Sequence, residues 1–484
     1  MIPLPEHIQK VHMIGICGTG MGALAQMLQQ QGYQVQGSDE KAYPPMSDVL
    51  ASKGITVLEG FCADNLDPQP DVVIVGNVVR VTNPEFVAVA RSTIPFVSMS
   101  DAMLRLFMKG RPRFALCGTH GKTTTTALTA YMMDALGLNP GYFIGGVPGN
   151  FDSTARSGGT SAPFILEGDE YDTALFDKRP KMLAYHPHYA VITSVEYDHA
   201  DIYPTEESVF LQFELLAGQL PDTGALILCS NRPELKRVAE FAGNTPVQWY
   251  GSGLDESTAA EHYLYADSIV STPEHTSFTL YKQGKCICDV TMPMWGEYNV
   301  HNVLAALIMV EHAGGDIVAA AALLPGFKGI KRRQEIRAVV SGITLIDDFA
   351  HHPTAIEVTL AGLSRRYPDR RIIAAFDPRT NTSRRSVFQE RFVESFRHAN
   401  RVYISSPEDM WKIPEDDRID LPALIESLNE HQIAAAACET VDDIVQAIAG
   451  IVHSGDIVVG LSNGGFGGFY NKMTAALEKK QAIA

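Results

Sequence analysis

Cysteine is scarce and scattered. Seven residues, at positions 17, 62, 117, 229, 286, 288 and 438, form no C-x-x-C pair, and their odd total leaves at least one unpaired. This excludes a disulfide-stapled secreted scaffold and points to reduced thiols. The closest pair, Cys286 and Cys288 in KCICDVTM, is expected on one face of a strand rather than in a metal site, because alternate strand residues share a face. Long apolar runs are missing as well. No stretch approaches the ~18 residues of a membrane span. The opening MIPLPEHIQKVHMIGICGTGMG has no basic segment leading an apolar core to a cleavage site. The expectation is a cytoplasmic chain without membrane association. Positive charge is also in deficit, with 39 Lys and Arg against 56 Asp and Glu and a net charge of −17. Nucleic-acid phosphates are held by cationic excess, so a nucleic-acid partner is excluded and basic residues must act locally. Short repeats and low-complexity tracts are absent too.

What is present is the composition of a soluble enzyme, 45% hydrophobic and 20% charged over 484 residues. At roughly 150 residues per domain, three domains are expected. The first, 1–110, alternates strands with helices: KVHMIGI, a helix from Met21 to Gln31, YQVQGSD and DVVIVGN. Lys109-Gly110-Arg111-Pro112 breaks this pattern. A second domain, 111–325, then opens with the strand RFALCG and a helix through Leu136. It continues through PFILEGDE, HYAVITSV and GALILCSN, a polar interval near 251–292, and a helix from Val300 to Ala313. After the break Pro325-Gly326-Phe327-Lys328-Gly329, the strands ITLIDDFA, RRIIAAFD, RVYISS and DIVVGLS define a third doubly wound domain, 326–484. The fold class is α/β throughout, with a Rossmann-like first domain, a mostly parallel central sheet and a Rossmann-like third domain.

The strongest chemical signal is GTHGKTTTT between a strand and a helix. Gly118, Thr119, His120 and Gly121 offer backbone N–H groups to phosphate at a helix N-terminus, and Lys122 can neutralise β and γ oxygens. Thr123 supplies the hydroxyl expected on Mg²⁺, with Thr124 beside it. The generic loop would start with glycine where Leu116 stands, so the motif is the shorter G-T-x-G-K-T. Two other strand ends, where ligands gather in α/β sheets, are rich in acids. PFILEGDEYD carries Glu167, Asp169, Glu170 and Asp172, and YAVITSV leads into Glu196-Tyr197-Asp198-His199-Ala200-Asp201. His199 among these acids reads as a metal or substrate ligand.

A separate glycine pattern, GICGTGMGALA with Ser38-Asp39 after the next strand, fits the dinucleotide fingerprint G-x-G-x-x-A through Gly18, Gly20 and Ala23. Alone it would make the chain an NAD-binding oxidoreductase. That reading leaves GKTTTT and EGDE unexplained, and a non-catalytic nucleotide-binding regulator is disfavoured because the acids and His199 complete a catalytic set.

Taken together, GTHGKTTTT, EGDEYD, EYDHAD, GEYNVHN and DDFAHHP resemble the Mur ligase family over nearly the whole chain. The resemblance implies three domains that bind a UDP-sugar, ATP and an incoming amino acid or peptide in that order, with ATP and Mg²⁺ required. It implies that Glu170 shares Mg²⁺ with Thr123, and that His199 binds a second Mg²⁺. It places Asn302 on adenine with Asn299 beside it, Arg333 near the phosphates, and Asp348, or its neighbour Asp347, at the ribose. The family histidine before Asn299 is Tyr298 here. The carbamylated lysine of some members has no counterpart, because no lysine occurs between His199 and Lys236. Lys122, Glu170, His199 and Arg333 are the expected catalytic set.

The resemblance further implies that the first glycine loop holds UDP, through Gly18, Thr19, Gly20, Met21, Gly22, Ser38, Asp39 and Asn77. GNVVRVTNPE, EGDEYDTALFDKRPK, FDPRTNTSRR and SNGGFGG resemble the members that add a murein tripeptide, L-Ala-γ-D-Glu-meso-diaminopimelate, to UDP-N-acetylmuramate. They differ from the pattern of those adding free L-alanine, which is the alternative. Arg379, Asn381, Thr382, Ser462 and Asn463 are the expected acceptor contacts. Arg384 and Arg385 are further candidates for its carboxylates. A monomer or homodimer is expected.

Overall fold

A computed structural model describes residues 4–42, 44, 46–253 and 260–483. It divides into two compact units, one of Met1–Val195, Phe210–Gly251 and Val303–Leu323, the other of Glu196–Val209, Ser252–Asn302 and Leu324–Ala484.

In the first unit, five short strands form one parallel sheet: β1 (Lys10–Ile14), β2 (Gln34–Asp39), β3 (Thr56–Glu59), β4 (Val72–Val75) and β5 (Phe96–Ser98), in the order β3-β2-β1-β4-β5. The unbroken apolar run of β4 suits a central strand covered on both faces. The chain order reverses between β1 and β4, so the loop after β1 lies at a switch point, where doubly wound sheets bind ligands. From that loop runs the helix Thr19–Gln30. Gly22 lets it pack closely, since a Cβ there would come within 2.2 Å of Met46 Sδ.

The same unit contains a second sheet, built from β6 (Arg113–Cys117), β7 (Gly141–Phe143), β8 (Ala155–Arg156) and β9 (Phe164–Gly168). A hairpin follows, β10 (Asp172–Ala174) and β11 (Asp177–Pro180), and then β12 (Tyr189–Ile192), β13 (Ala225–Cys229) and β14 (Val247–Ser252). The strands run β14-β13-β12-β6-β9-β7-β8, parallel except for the antiparallel β7-β8 pair. The Lys109–Pro112 break is pinned rather than loose. Arg111 is buried and donates to the carbonyls of Phe107 at 2.9 Å, Ser157 at 2.7 Å and Ala162 at 2.7 Å. The tip of the β10-β11 hairpin reaches into the first sheet's core, where Phe176 stacks on Phe86 at 6.0 Å and meets Phe96 edge-on at 5.1 Å.

In the second unit the interval read as polar is an antiparallel meander, β15 (Leu264–Ser271), β16 (Thr276–Lys282) and β17 (Lys285–Met292). Its alternating burial hides a one-faced apolar pattern among polar residues. Cys286 and Cys288 do not share a face as expected. A bulge pairs Tyr281 with Cys286 and Leu280 with Cys288, which breaks the two-residue period and leaves Cys286 exposed while Cys288 turns inward. The remaining sheet holds β18 (Glu335–Val340), β19 (Ile343–Asp348), β20 (Ile372–Phe376), β21 (Arg401–Ser405), β22 (Ala434–Cys438) and β23 (Ile457–Leu461), ordered β18-β19-β23-β20-β21-β22. Only β18 is antiparallel in it. Alternate residues feed two cores, Ala374, Phe376 and Val459 on one face and Ile373, Ala375 and Val458 on the other. Each of the larger fully buried side chains here, such as Phe376, Ile373 and Val459, contributes about 1.5–3 kcal/mol. The helix expected from Val300 begins three residues earlier, as Glu297–His312, and stops before Gly314 at φ 87°.

Candidate active site

Between β6 and the helix Lys122–Ala135, the glycine loop turns through two left-handed positions, Gly118 at φ 115° and Gly121 at φ 82°. At Gly118 a Cβ would sit 2.3 Å from Thr193 Oγ1, so only glycine lets the loop lie against the end of β12. The segment after β12 braces it. Thr119 N–H donates to Ser194 O at 3.0 Å, His120 N–H donates to Ser194 Oγ at 3.2 Å, and the Thr193 hydroxyl donates to the carbonyls of Cys117 and His120. Of the following threonines, Thr125 and Thr126 donate back to the carbonyls of Gly121 and Lys122, while Thr124 is half-buried in the first turn.

Lys122 folds over this loop. Its Nζ donates to Gly118 O at 2.6 Å and to Glu170 Oε2 at 2.8 Å. Burial alone would lower the ammonium pKa, yet Glu170, Asp169 and Glu167 raise it, so the lysine stays charged. Asp169 is lowered to about 2 against its burial, by Lys181, Lys122 and the Tyr171 N–H. Thr123, by contrast, donates to Glu167 Oε2 at 3.1 Å, and the other oxygen of Glu167 accepts the Gly145 N–H at 2.5 Å. The two acids therefore divide the loop, Glu170 with the lysine and Glu167 with the threonine. Glu167 was one of four acids in the sequence reading, and its signal was its place within β9 itself. Hydroxyl and carboxylate oxygens at one helix start suit a hard cation such as Mg²⁺.

At the first sheet's switch point, Gly18 caps its helix without a side-chain bond, and Gly18 and Thr19 are exposed. Open N–H groups at a helix N-terminus are an anion site. Met21 and Gly22 are buried in packing, and a Cβ on Gly20 would meet Met99 and Phe143. Asp39 accepts Cys17 N–H at 2.8 Å, tying the loop to the end of β2. Ser38 departs from its expected substrate role. It is fully buried and donates to Glu85 Oε2 at 2.5 Å, in a network with His12 at 3.0 Å and Asn65 at 2.5 Å. Asn77 is half-buried just beyond β4.

The second unit gathers another group. Asn299 Nδ2 donates to Trp295 O at 2.7 Å, and Asn302 Nδ2 donates to Asn299 Oδ1 at 3.1 Å, so the two asparagines orient each other. Arg332 at φ 62° and Gln334 at φ 54° flank the exposed Arg333, which lies 4.5 Å over the Phe349 ring. Two left-handed non-glycine residues with a single residue between them store strain of the kind found at ligand clamps. Asp348, buried at the end of β19, accepts N–H groups from Gln334 and Ala350, each at 2.8 Å. Burial raises its carboxyl despite Arg333. Tyr298, where the family histidine would be, is half-buried and accepts from Gln334 Nε2.

His199 sits at φ 56° beside buried Asp198. Burial would raise the Asp198 carboxyl, but His199, His351 and His352 hold it well below the usual carboxylate range. Thr382 is buried and accepts the Ala200 N–H at 3.3 Å. The three candidate arginines separate clearly. Arg384 is buried and donates to Glu408 O at 2.7 Å and Asn381 Oδ1 at 2.8 Å, and Arg385 pairs with Asp417. Arg379 is exposed and lies against Gly464, where a Cβ would meet its Cδ at 2.7 Å. Ser462 donates to Asp377 Oδ2 at 2.9 Å, and the Asn463 carbonyl accepts from Arg332. Arg384 and Arg385 are therefore engaged by the protein, contrary to their candidacy for the acceptor.

Among the described residues no helix is long and apolar enough to cross a membrane. Three models match the chain: Mur ligase family, catalytic domain over 10–111, Mur ligase middle domain over 116–310, and Mur ligase, glutamate ligase domain over 332–464. The chain is 35% identical to the UDP-N-acetylmuramate–L-alanyl-γ-D-glutamyl-meso-2,6-diaminoheptandioate ligase of Escherichia coli strain K12, covering 98% of this chain and 100% of that one. It is 32% identical to the UDP-N-acetylmuramate–L-alanine ligase of Chloroflexus aggregans, over 98% and 99% of the two chains. A crystal structure of a murein peptide ligase from Psychrobacter arcticus aligns with TM-score 0.71 at 31% identity, covering 97% of this chain and 98% of that one.

Proposed function

The chain belongs to the Mur ligase family of ATP-dependent ligases, and from that premise we propose that it joins UDP-N-acetylmuramate to L-Ala-γ-D-Glu-meso-diaminopimelate through an acyl phosphate, in the cytoplasm. The observation that carries the reading is the Lys122 ammonium, held over a backbone-lined phosphate loop by Glu170. Such a site positions and neutralises a triphosphate, the main requirement of phosphoryl transfer. With domain boundaries taken at 110 and 325, the proposal gives the sugar nucleotide, ATP and the peptide to the three domains in chain order.

In the first step a lactyl carboxylate oxygen bonds to the γ-phosphorus of ATP while the β–γ bridging bond breaks, and ADP leaves. The peptide's L-alanine nitrogen then attacks the acyl carbon, loses a proton, and expels inorganic phosphate. Lys122 and the loop N–H groups hold the transferring phosphoryl oxygens. Thr123 with Glu167 or Glu170 would hold magnesium, which would supply further charge neutralisation, and His199 would hold a second ion. Gly18 and Thr19 take the UDP pyrophosphate. Asn299 and Asn302 present amides to adenine, Asp348 takes the ribose and Arg333 the phosphates. Arg379, the exposed guanidinium of its group, takes an acceptor carboxylate.

A phosphate-release assay with UDP-N-acetylmuramate and ATP tests the choice of acceptor. Turnover with the tripeptide should exceed that with L-alanine by orders of magnitude. The reverse ratio would assign the chain to the alanine-adding members instead.

A further inference from the structure

A cavity of about 460 Å³ in the second unit has no place in the chemistry above. The meander lines it on one side with Ala266 to Ile269, Ser271 and Thr272. Trp295 to Glu297 line it at the start of the Glu297–His312 helix, and Gly362, Arg365 and Arg366 at the end of the Pro353–Arg366 helix. The meander is shaped for it. A register shift between Asp267 and Val270 and a left-handed Ser268 at φ 53° turn these residues out of the ladder, as bulges do beside binding sites.

The lining holds three donor atoms that no acceptor meets among the described residues. The Arg366 guanidinium carbon lies 3.0 Å over the Trp295 ring and 4.9 Å from that of Tyr367. Its Nε and Nη1 are buried and have no hydrogen-bond partner among the described residues, and the same holds for the indole Nε1 of Trp295, a residue only 8% exposed. Arg365 stands exposed at the rim. Two acids also belong to the lining, Asp267, which accepts the Ser268 N–H at 2.7 Å, and Glu297, which accepts the Ser252 hydroxyl at 2.6 Å. Only Tyr367 and Glu274 raise the Arg366 guanidinium, and burial lowers it to about 10. Leaving three buried donors unmet is costly, and a stacked guanidinium with free N–H groups is suited to planar or tetrahedral oxyanions. The positive end of a 16-residue helix opens on the same space.

We propose that this cavity is a binding site for a small oxyanion, a phosphate or a carboxylate, gripped by Arg366 and the Trp295 N–H. The site does not depend on the ligase assignment. Trp295 is one of three tryptophans, so occupancy is readable by fluorescence in the full-length protein. Titration with inorganic phosphate should give a saturable change in emission that sodium chloride of equal ionic strength does not reproduce. Arg366→Gln should weaken phosphate binding at least about tenfold, the value of a hydrogen bond to a charged group. Lys122→Ala should leave this signal intact. Trp295→Phe keeps the ring but removes the N–H, and should weaken phosphate binding severalfold by calorimetry even if Arg366→Gln fails to fold. Glutarate in parallel distinguishes the sources, since whichever anion binds more tightly identifies a phosphoryl or a carboxylate ligand. Absence of saturation with both anions would overturn the proposal, as would a phosphate signal lost with Lys122 but not weakened by Arg366→Gln or Trp295→Phe.

Discussion

Lys122 and Glu170 lie 2.8 Å apart with the carboxylate almost wholly enclosed. Removing only the lysine therefore strands a buried anion, which costs about 3–5 kcal/mol. Lys122→Met should lower both stability and turnover, the latter by roughly 10²–10³-fold. Adding Glu170→Gln should recover much of the stability and none of the activity. Urea melts of the single and double variants check this, and equal stability of the two would contradict the buried-pair account. A second contrast separates the arginines. Arg379→Ala should raise the tripeptide KM while leaving the melt unchanged, because its guanidinium faces outward. Arg384→Ala should instead destabilise by about 1–3 kcal/mol, since it strands the Glu408 carbonyl and Asn381. Equal effects of both on KM would remove the distinction. These contrasts mark the limit of reading a sequence. Gly118 to Thr123 was legible because loop chemistry is local. Ser38 and Arg384 were not, because whether a polar side chain faces a ligand or the protein depends on partners such as Glu85 and Glu408, distant along the chain.

At the scale of elements, the phosphate loop depends on one contact between strands. Gly118→Ala would drive a Cβ into Thr193 Oγ1 and Ser194, disturbing the brace that holds Thr119 and His120. With its backbone strain the change should cost about 1–3 kcal/mol and weaken ADP binding. Calorimetric titration checks this, and unaltered affinity would show that the brace has no role. The strands feeding this loop were plain in the sequence because buried parallel strands read as apolar runs. The meander was not, since one wet face dilutes its pattern, and the bulge at Cys286 and Cys288 shifts the period that the reading relied on.

At the scale of the whole molecule, each of the three doubly wound patterns has its own set of parallel strands, recognisable from alternating strand and helix signals. Their coupling was not recognisable. Within the first unit, Arg111 fixes the junction between two sheets, and Phe176 enters the first sheet's aromatic cluster. Phe176→Ala should destabilise by roughly 1–1.5 kcal/mol, half the value of full burial, and speed tryptic cleavage near Lys109. Unchanged melting and cleavage would mean that the cluster holds without it.

The same hairpin constrains how this architecture can be recombined. Residues 172–180 are encoded with the second sheet, yet their tip packs against the core of the first. A chimera spliced at residue 110 would give the donor sheet a foreign side chain in its aromatic cluster and leave the recipient hairpin without its socket. A transplant that carries β10-β11 along with residues 1–110 keeps both halves of that fit, so the working module is discontinuous in the gene.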